Sequence, residues 1–271
     1  MIDAHQHFWR LDRGDYGWLT PALAPIYRDC LPAHLEPHLA RHGISATILV
    51  QAAPTVAETH YLLDLAREHS YIAGVVGWVD FAAPDAAESI AALCGDDKLV
   101  GLRPMIQDIP DTEWMLEEQL APAFEAMIDH DLVFDALVKT EHLPALRELI
   151  ARYPDLRMVL DHGAKPSFGR DLTDWKREIA ALAGESGIIC KLSGFVTEAG
   201  SADPASMRVC FEHLLAQFGA RRMMWGSDWP VCELVCSYDD WRAASDALLS
   251  PLDASDRELI FSGVAQATYG I

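Results

Sequence analysis

Basic residues are scarce in this chain. Lys and Arg number 21 against 41 Asp and Glu, a formal net charge of −20. Affinity for nucleic acid is largely phosphate neutralisation by basic side chains, so this balance argues against such a partner. It equally disfavours an anionic membrane surface, and it says little about a small neutral substrate. Cysteine is sparse too. The six, Cys30, Cys94, Cys190, Cys210, Cys232 and Cys236, are scattered and form no disulfide framework in a chain of 271 residues. Cys232 and Cys236 read as buried inert thiols, since a zinc site usually needs a second ligand pair. No apolar run reaches membrane-spanning length. The N-terminus runs straight into an apolar strand pattern with no basic segment, hydrophobic core and cleavage site, which predicts a cytoplasmic protein. Internal repeats, low-complexity stretches and linkers are missing, so residues 1–271 read as one domain. The first strand also lacks the Gly-x-Gly-x-x-Gly turn of dinucleotide-binding open sheets.

What is present is alternation. Short apolar or β-branched runs occur at Ile2–Phe8, Ser45–Ala52, Ile72–Val79, Leu99–Met105, Leu132–Val138, Arg157–His162, Ile188–Ser193 and Arg222–Ser227. Between and after them, helical periodicity marks Leu31–His42, Val56–His69, Asp85–Cys94, Thr112–His130, Glu141–Tyr153, Leu172–Gly184, Pro204–Phe218 and Tyr238–Leu249. A last helix, Asp256–Thr268, closes the chain. Pro84-Asp85 and Asp203-Pro204 are recognisable helix starts. Eight strands alternating with eight helices is the pattern of parallel βαβ units. Strand count and the missing glycine turn favour a (β/α)8 TIM barrel over an open sheet, and a 51% hydrophobic fraction supplies its core. Long connections at Trp9–Cys30, Gln107–Asp111, Lys165–Asp171 and Phe195–Asp203 all follow strand ends, which in a barrel is the catalytic face.

Polar residues at those ends are the candidate chemistry. In Asp3-Ala4-His5-Gln6-His7, strand alternation points His5 and His7 the same way. Two imidazoles so placed can chelate a divalent cation, donate to one oxygen, or simply bond backbone carbonyls. His162 ends strand six and Asp228 ends strand eight, where the bland alternatives are a structural histidine and a helix cap. Side chains from the C-terminal ends of barrel strands converge on the axis, which makes His5, His7, His162 and Asp228 a constellation. Arg103, ending strand four, is a candidate for a substrate carbonyl or hydroxyl; the alternative is an ion pair with Asp80 or Asp108. Lys165 is a similar candidate, with Gln51 and Asp80 as lesser hydroxyl binders. Trp9, Trp18, Trp78 and Trp229 lie at or beyond strand ends, where aromatic faces suit the C–H side of a sugar ring, Trp78 and Trp229 foremost.

These residues sit in stretches that resemble the amidohydrolase superfamily, and within it the lactonase branch that includes the L-fuconolactonases and L-rhamnono-lactonases. The matching stretches are HQHFW from His5, DYGWL from Asp15, VQAAPTVAET from Val50, GVVGWVDF from Gly74, GLRPMIQDIPD from Gly101, DHGAKP from Asp161 and GSDWPV from Gly226. The resemblance implies hydrolysis of a sugar lactone to its acid. Many superfamily members carry a further metal ligand at the end of strand five; Lys139 matches it only loosely, so a binuclear centre is not expected. The resemblance implies a site that needs no cofactor and tolerates one zinc on His5, His7, His162 and Asp228. Asp228 is then the general base, and the histidines polarise the carbonyl. A metal-dependent amidohydrolase or decarboxylase and a catalytically silent sugar-binding barrel are the rival expectations. Oligomeric state is not legible in the sequence.

Overall fold

A computed structural model describes residues 1–271. Its eight strands are β1 (Ile2–Gln6), β2 (Ala46–Val50), β3 (Ile72–Gly77), β4 (Leu99–Leu102), β5 (Val133–Ala136), β6 (Met158–Leu160), β7 (Ile189–Leu192) and β8 (Met223–Trp225). They pair in parallel in chain order, each with the next. The ring closes between β1 and the residues just after β8. Asp228 N donates to His5 O and His7 N to Trp229 O, both at 2.7 Å. This is a (β/α)8 barrel, as the strand count and the missing dinucleotide-type turn lead one to expect.

The helices are α1 (Pro32–His42), α2 (Val56–Glu68), α3 (Ala86–Leu93), α4 (Ala121–Asp129), α5 (Leu143–Arg152), α6 (Thr173–Glu185), α7 (Phe195–Ala199), α8 (Pro204–Phe218), α9 (Tyr238–Leu249), α10 (Ala254–Glu258) and α11 (Val264–Tyr269). Their starts follow local chemistry. Thr55 caps α2 by accepting from Glu58 N, and Asp203 caps α8 just before Pro204. The expected helix at Thr112–His130 is shorter. Pro122 is confined to the first turn of α4, and 3-10 turns at Trp114–Leu116 and Glu118–Leu120 precede it. Pro144 likewise delays α5 to Leu143. The expected loop Phe195–Asp203 contains the short helix α7, and the last helix is interrupted by a π turn at Leu259–Gly263. No helix is long and apolar enough to cross a membrane.

Two apolar clusters hold the molecule. The larger lies between the sheet and the outer helices; the smaller fills the lower barrel with Ile2, Ala4, Ile48, Val50, Val133, Val159 and Met224, and α11 plugs it from below with Val264, Ala265 and Tyr269. One irregularity positions the chemistry. The β1–β2 register shifts between Asp3 and Gln6. Ile2 and Ala4 face the barrel interior, whereas Asp3 reaches Tyr238 on α9. Simple alternation would then send His5 outward. The bulge puts Ala4 and His5 consecutively on the inside, which is how such bulges re-aim side chains.

Candidate active site

The site stands on the apolar plug. His5 and His7 bring their Nε2 atoms to 3.2 Å, and Asp228 Oδ1 lies 3.3 Å from His7 Nε2 and 3.6 Å from His5 Nε2. His162 joins them with its ring centroid 4.7 Å from that of His5. His7 Nδ1 is 2.7 Å from Val50 O. A carbonyl only accepts, so Nδ1 carries a proton and Nε2 is the ring atom turned toward the site. His162 Nδ1 is held by Ser193 Oγ at 2.8 Å. All four predicted residues are therefore brought together.

Two of them stand in strained backbone. Asp228 has φ 56°, and His162 opens a run of four left-handed residues with φ 53° at His162, 54° at Gly163, 58° at Ala164 and 50° at Lys165. Left-handed residues normally occur singly because Cβ crowds the next carbonyl, so three non-glycines in one run carry real strain. Asp228 N and His7 N are tied across the barrel seam, and Gly194 offers His162 a wall with no side chain. A Cβ there would stand 2.7 Å from His162 Nδ1.

Below the rings lies a charged layer that was not anticipated. Arg103 Nη1 is 3.3 Å from His5 Nε2 and 3.1 Å from Asp161 Oδ2. Lys191 Nζ is 3.4 Å from His5 Nδ1, 3.2 Å from Asp161 Oδ1 and 2.5 Å from Asp135 Oδ2. Tyr269 OH then reaches both Asp135 oxygens at 2.9 and 3.0 Å. Burial pushes the Asp161 carboxyl up, but Lys191, His5 and Arg103 more than reverse this and hold it well below its ordinary range. Asp228 behaves alike: burial raises it, and His162, His7 and His5 hold it below the usual carboxylate range. Burial pushes His5 and His162 down against Asp161 and Asp228 respectively, so both rings are neutral near pH 7. Asp135 is raised by burial to about 6 although Lys191 opposes the rise.

Above the rings is a cavity of about 210 Å³. Its polar lining is His7, Arg103, Gln107, Asp108, His162, Lys165 and Asp228; Trp18, Met105, Leu137 and Val231 form much of the rest. Arg103 thus reaches the cavity, but its ion-pair partner is Asp161 and not Asp80 or Asp108. Lys165 lines it and pairs with Glu198 at 3.2 Å. Gln51, Trp78, Asp80 and Trp229 do not line it. Gln51 exchanges bonds with the Arg103 backbone and guanidinium, reaching across the barrel mouth from the end of β2 to the end of β4. Asp80 is exposed and accepts from Ala82 N, Trp78 binds Thr59 Oγ1 through its amide, and Trp229 is buried against Phe8 with its indole on Glu233. Lys139, three residues past β5, is tied to His142 and also stands apart from the cavity.

The donors fit one divalent cation. Ligands at about 2.0–2.1 Å around tetrahedral zinc stand roughly 3.3–3.4 Å apart. His5 Nε2, His7 Nε2 and Asp228 Oδ1 stand 3.2, 3.3 and 3.6 Å apart. Three acceptors facing one another in this way repel unless something positive lies between them. Arg103 already supplies part of that charge, and with Lys191 it offsets two of the three buried carboxylates, Asp135, Asp161 and Asp228. The set can therefore accept one metal ion.

A family model described as amidohydrolase matches residues 2–271. The chain belongs to that family. It is 44% identical to an L-fucono-1,5-lactonase of Burkholderia ambifaria over 100% of this chain and 95% of that one. It is 37% identical to an L-fucono-1,5-lactonase of Burkholderia multivorans, covering 100% and 96%. Among solved structures, an amidohydrolase from Burkholderia multivorans with bound zinc superposes with a TM-score of 0.92 at 37% identity, covering 100% of this chain and 99% of that one.

Proposed function

We infer that this chain hydrolyses a sugar lactone, with L-fucono-1,5-lactone or a close stereochemical neighbour as substrate and the open acid as product. The observation that carries the reading is the full-length likeness to two L-fucono-1,5-lactonases. The lining of the cavity agrees with it. Arg103 is the only arginine there and is already committed to Asp161, so the pocket is poorly equipped for a dianionic substrate. Lys165, Gln107 and Asp108 can bind ring hydroxyls, and Trp18, Met105, Leu137 and Val231 suit the less polar edge of a deoxy sugar.

In this reading the Asp228 carboxylate takes a proton from water as the water oxygen attacks the lactone carbonyl. The negative charge that develops on the carbonyl oxygen is met by the Arg103 guanidinium and by a donor from His162. The proton held by Asp228 then passes to the departing ring oxygen, so one group serves both halves of the reaction. A general base works best with a pKa near the working pH, and Asp228 lies far below it. Its contribution belongs at the lower end of the general-base range, about 10²-fold. That suffices for an ester, whose alkoxide leaves readily, and not for an amide. A divalent cation on His5, His7 and Asp228 would add Lewis-acid polarisation of the carbonyl. We propose that it is tolerated and not required.

The test is a pH-indicator assay over a panel of aldonolactones, with and without chelator. L-Fucono-1,5-lactone is expected to open well above the spontaneous rate in both. If no lactone opens above background, the lactonase reading is wrong. Activity abolished by chelation and restored by zinc supports the metal-dependent alternative.

A further inference from the structure

Beneath the cavity floor, four charged or phenolic groups run in one line without lining the cavity. Tyr269 on α11, Asp135 on β5, Lys191 on β7 and Asp161 just past β6 are joined end to end, and the line finishes at His5. Asp135, Lys191 and Asp161 have no solvent exposure. Burying such charges is expensive, and a well-packed apolar trio of similar volume is often at least as stable. A contribution to the reaction centre accounts for their presence where stability does not.

We propose that Lys191 is a positioning residue for the reaction, clamping Asp161 and through it the His5 ring and the Arg103 guanidinium. Its ammonium is gripped from one side by Asp135, at 2.5 Å, and reaches Asp161 Oδ1 and His5 Nδ1 on the other. The second Asp161 oxygen holds Arg103 Nη1, which in turn meets His5 Nε2. Both edges of His5 therefore face groups that Lys191 fixes. Asp161 also immediately precedes the left-handed run that carries His162 and Lys165. A shift of its carboxylate is transmitted to two more residues of the cavity lining. The base of the line is immobile, because Tyr269 OH bridges both Asp135 oxygens from the helix that plugs the barrel.

The proposal rests on the lactonase reading for its kinetic arm only. Lys191→Met alone would leave two buried carboxylates short of a partner, so it is paired with Asp135→Asn, which removes one charge of each sign. The double variant is expected to melt near the parent, to keep its KM, and to lose about 10–100-fold in kcat, the usual effect of losing a group that orients a site residue. Zinc affinity, titrated with the metal ion alone, is expected to fall by about 10-fold or more, because His5 is then free to turn. A folded double variant with parental kcat and parental zinc affinity overturns the proposal and leaves Lys191 a structural residue. Should the double variant fail to fold, Asp135→Asn by itself decides. Several-fold lower kcat at unchanged KM and melting temperature supports the clamp, and parental kcat overturns it. A parent that opens no lactone sinks the functional reading instead, and the zinc titration still judges Lys191.

Discussion

Asp3 makes an electrostatic trade that one isosteric substitution can expose. Its carboxylate is fully buried at the barrel seam, where Oδ1 accepts from Ser227 N at 2.8 Å and His5 N at 3.2 Å, and Oδ2 from Tyr238 OH at 3.1 Å. Burial outweighs these bonds and raises its pKa from 3.8 to about 6. A carboxyl raised in the folded state contributes stability below the unfolded value that is lost as pH climbs through the folded one. The window here runs from 3.8 to about 6. Above it, holding the charge inside costs about 3 kcal/mol. Asn keeps the same shape: its oxygen accepts from both amides, and its NH₂ donates to Tyr238 once that hydroxyl turns. Asp3→Asn is therefore expected to stabilise the protein by about 3 kcal/mol at pH 8, or roughly 6–12 °C in melting temperature for a chain of this size. At pH 5 the gain is about half, and it vanishes below the unfolded value. Thermal melts or urea titrations of parent and variant across that range measure it. A variant less stable than the parent at pH 8 would refute the reasoning, since the three bonds would then outweigh desolvation of the charge.

Other consequences are open to measurement. Asp228→Asn should lower kcat by about 10²-fold, the lower end of general-base effects, with the fold retained; near-parental turnover removes its assignment as base. Gly194→Ala should both destabilise the fold and depress kcat, because its φ of 67° disfavours a side chain and its Cβ would meet His162 at 2.7 Å. Calorimetry and initial rates on the same preparation check both. Lys165→Met should raise KM for a hydroxylated lactone with little change in kcat, as loss of uniform binding does; an equal fall in kcat and kcat/KM contradicts a binding-only role. Dialysis against chelator should remove zinc while leaving most lactone opening, judged by metal analysis beside the rate.

The barrel and the upper half of the site were legible because polar residues interrupt apolar runs at their ends. His162 closes Val159-Leu160-Asp161, and Asp228 follows Trp225-Gly226-Ser227, so both stand out as breaks in pattern. The lower half was not, although a signal existed. Asp135 and Lys191 lie in the middle of strands that otherwise read as apolar, and a charge inside a barrel wall must have a partner. Their partners lie on other strands, with Lys191 and Asp135 separated by 56 positions, so the pairing is invisible to local periodicity. Gln51, Trp78, Asp80 and Trp229 show the converse. Ending a strand brings a residue to the catalytic face, but the side chain then points inward, sideways or outward according to twist and neighbours. The bulge that turns His5 inward has no mark in the sequence; only the register of β1 against β2 reveals it.

The seam that closes the barrel is written in the backbone of the reaction centre itself. Every earlier strand pair joins neighbours along the chain, whereas the bonds from Asp228 to His5 and from His7 to Trp229 bring together residues more than two hundred positions apart. β1 finds its first neighbour, β2, within about fifty residues, but its second neighbour only after β8 has been made. A fragment ending before β8 lacks Asp228 altogether and cannot bring it to His7. The meeting of His7 and Asp228 therefore depends on the closure of the ring, which joins the first strand to the residues just after the last.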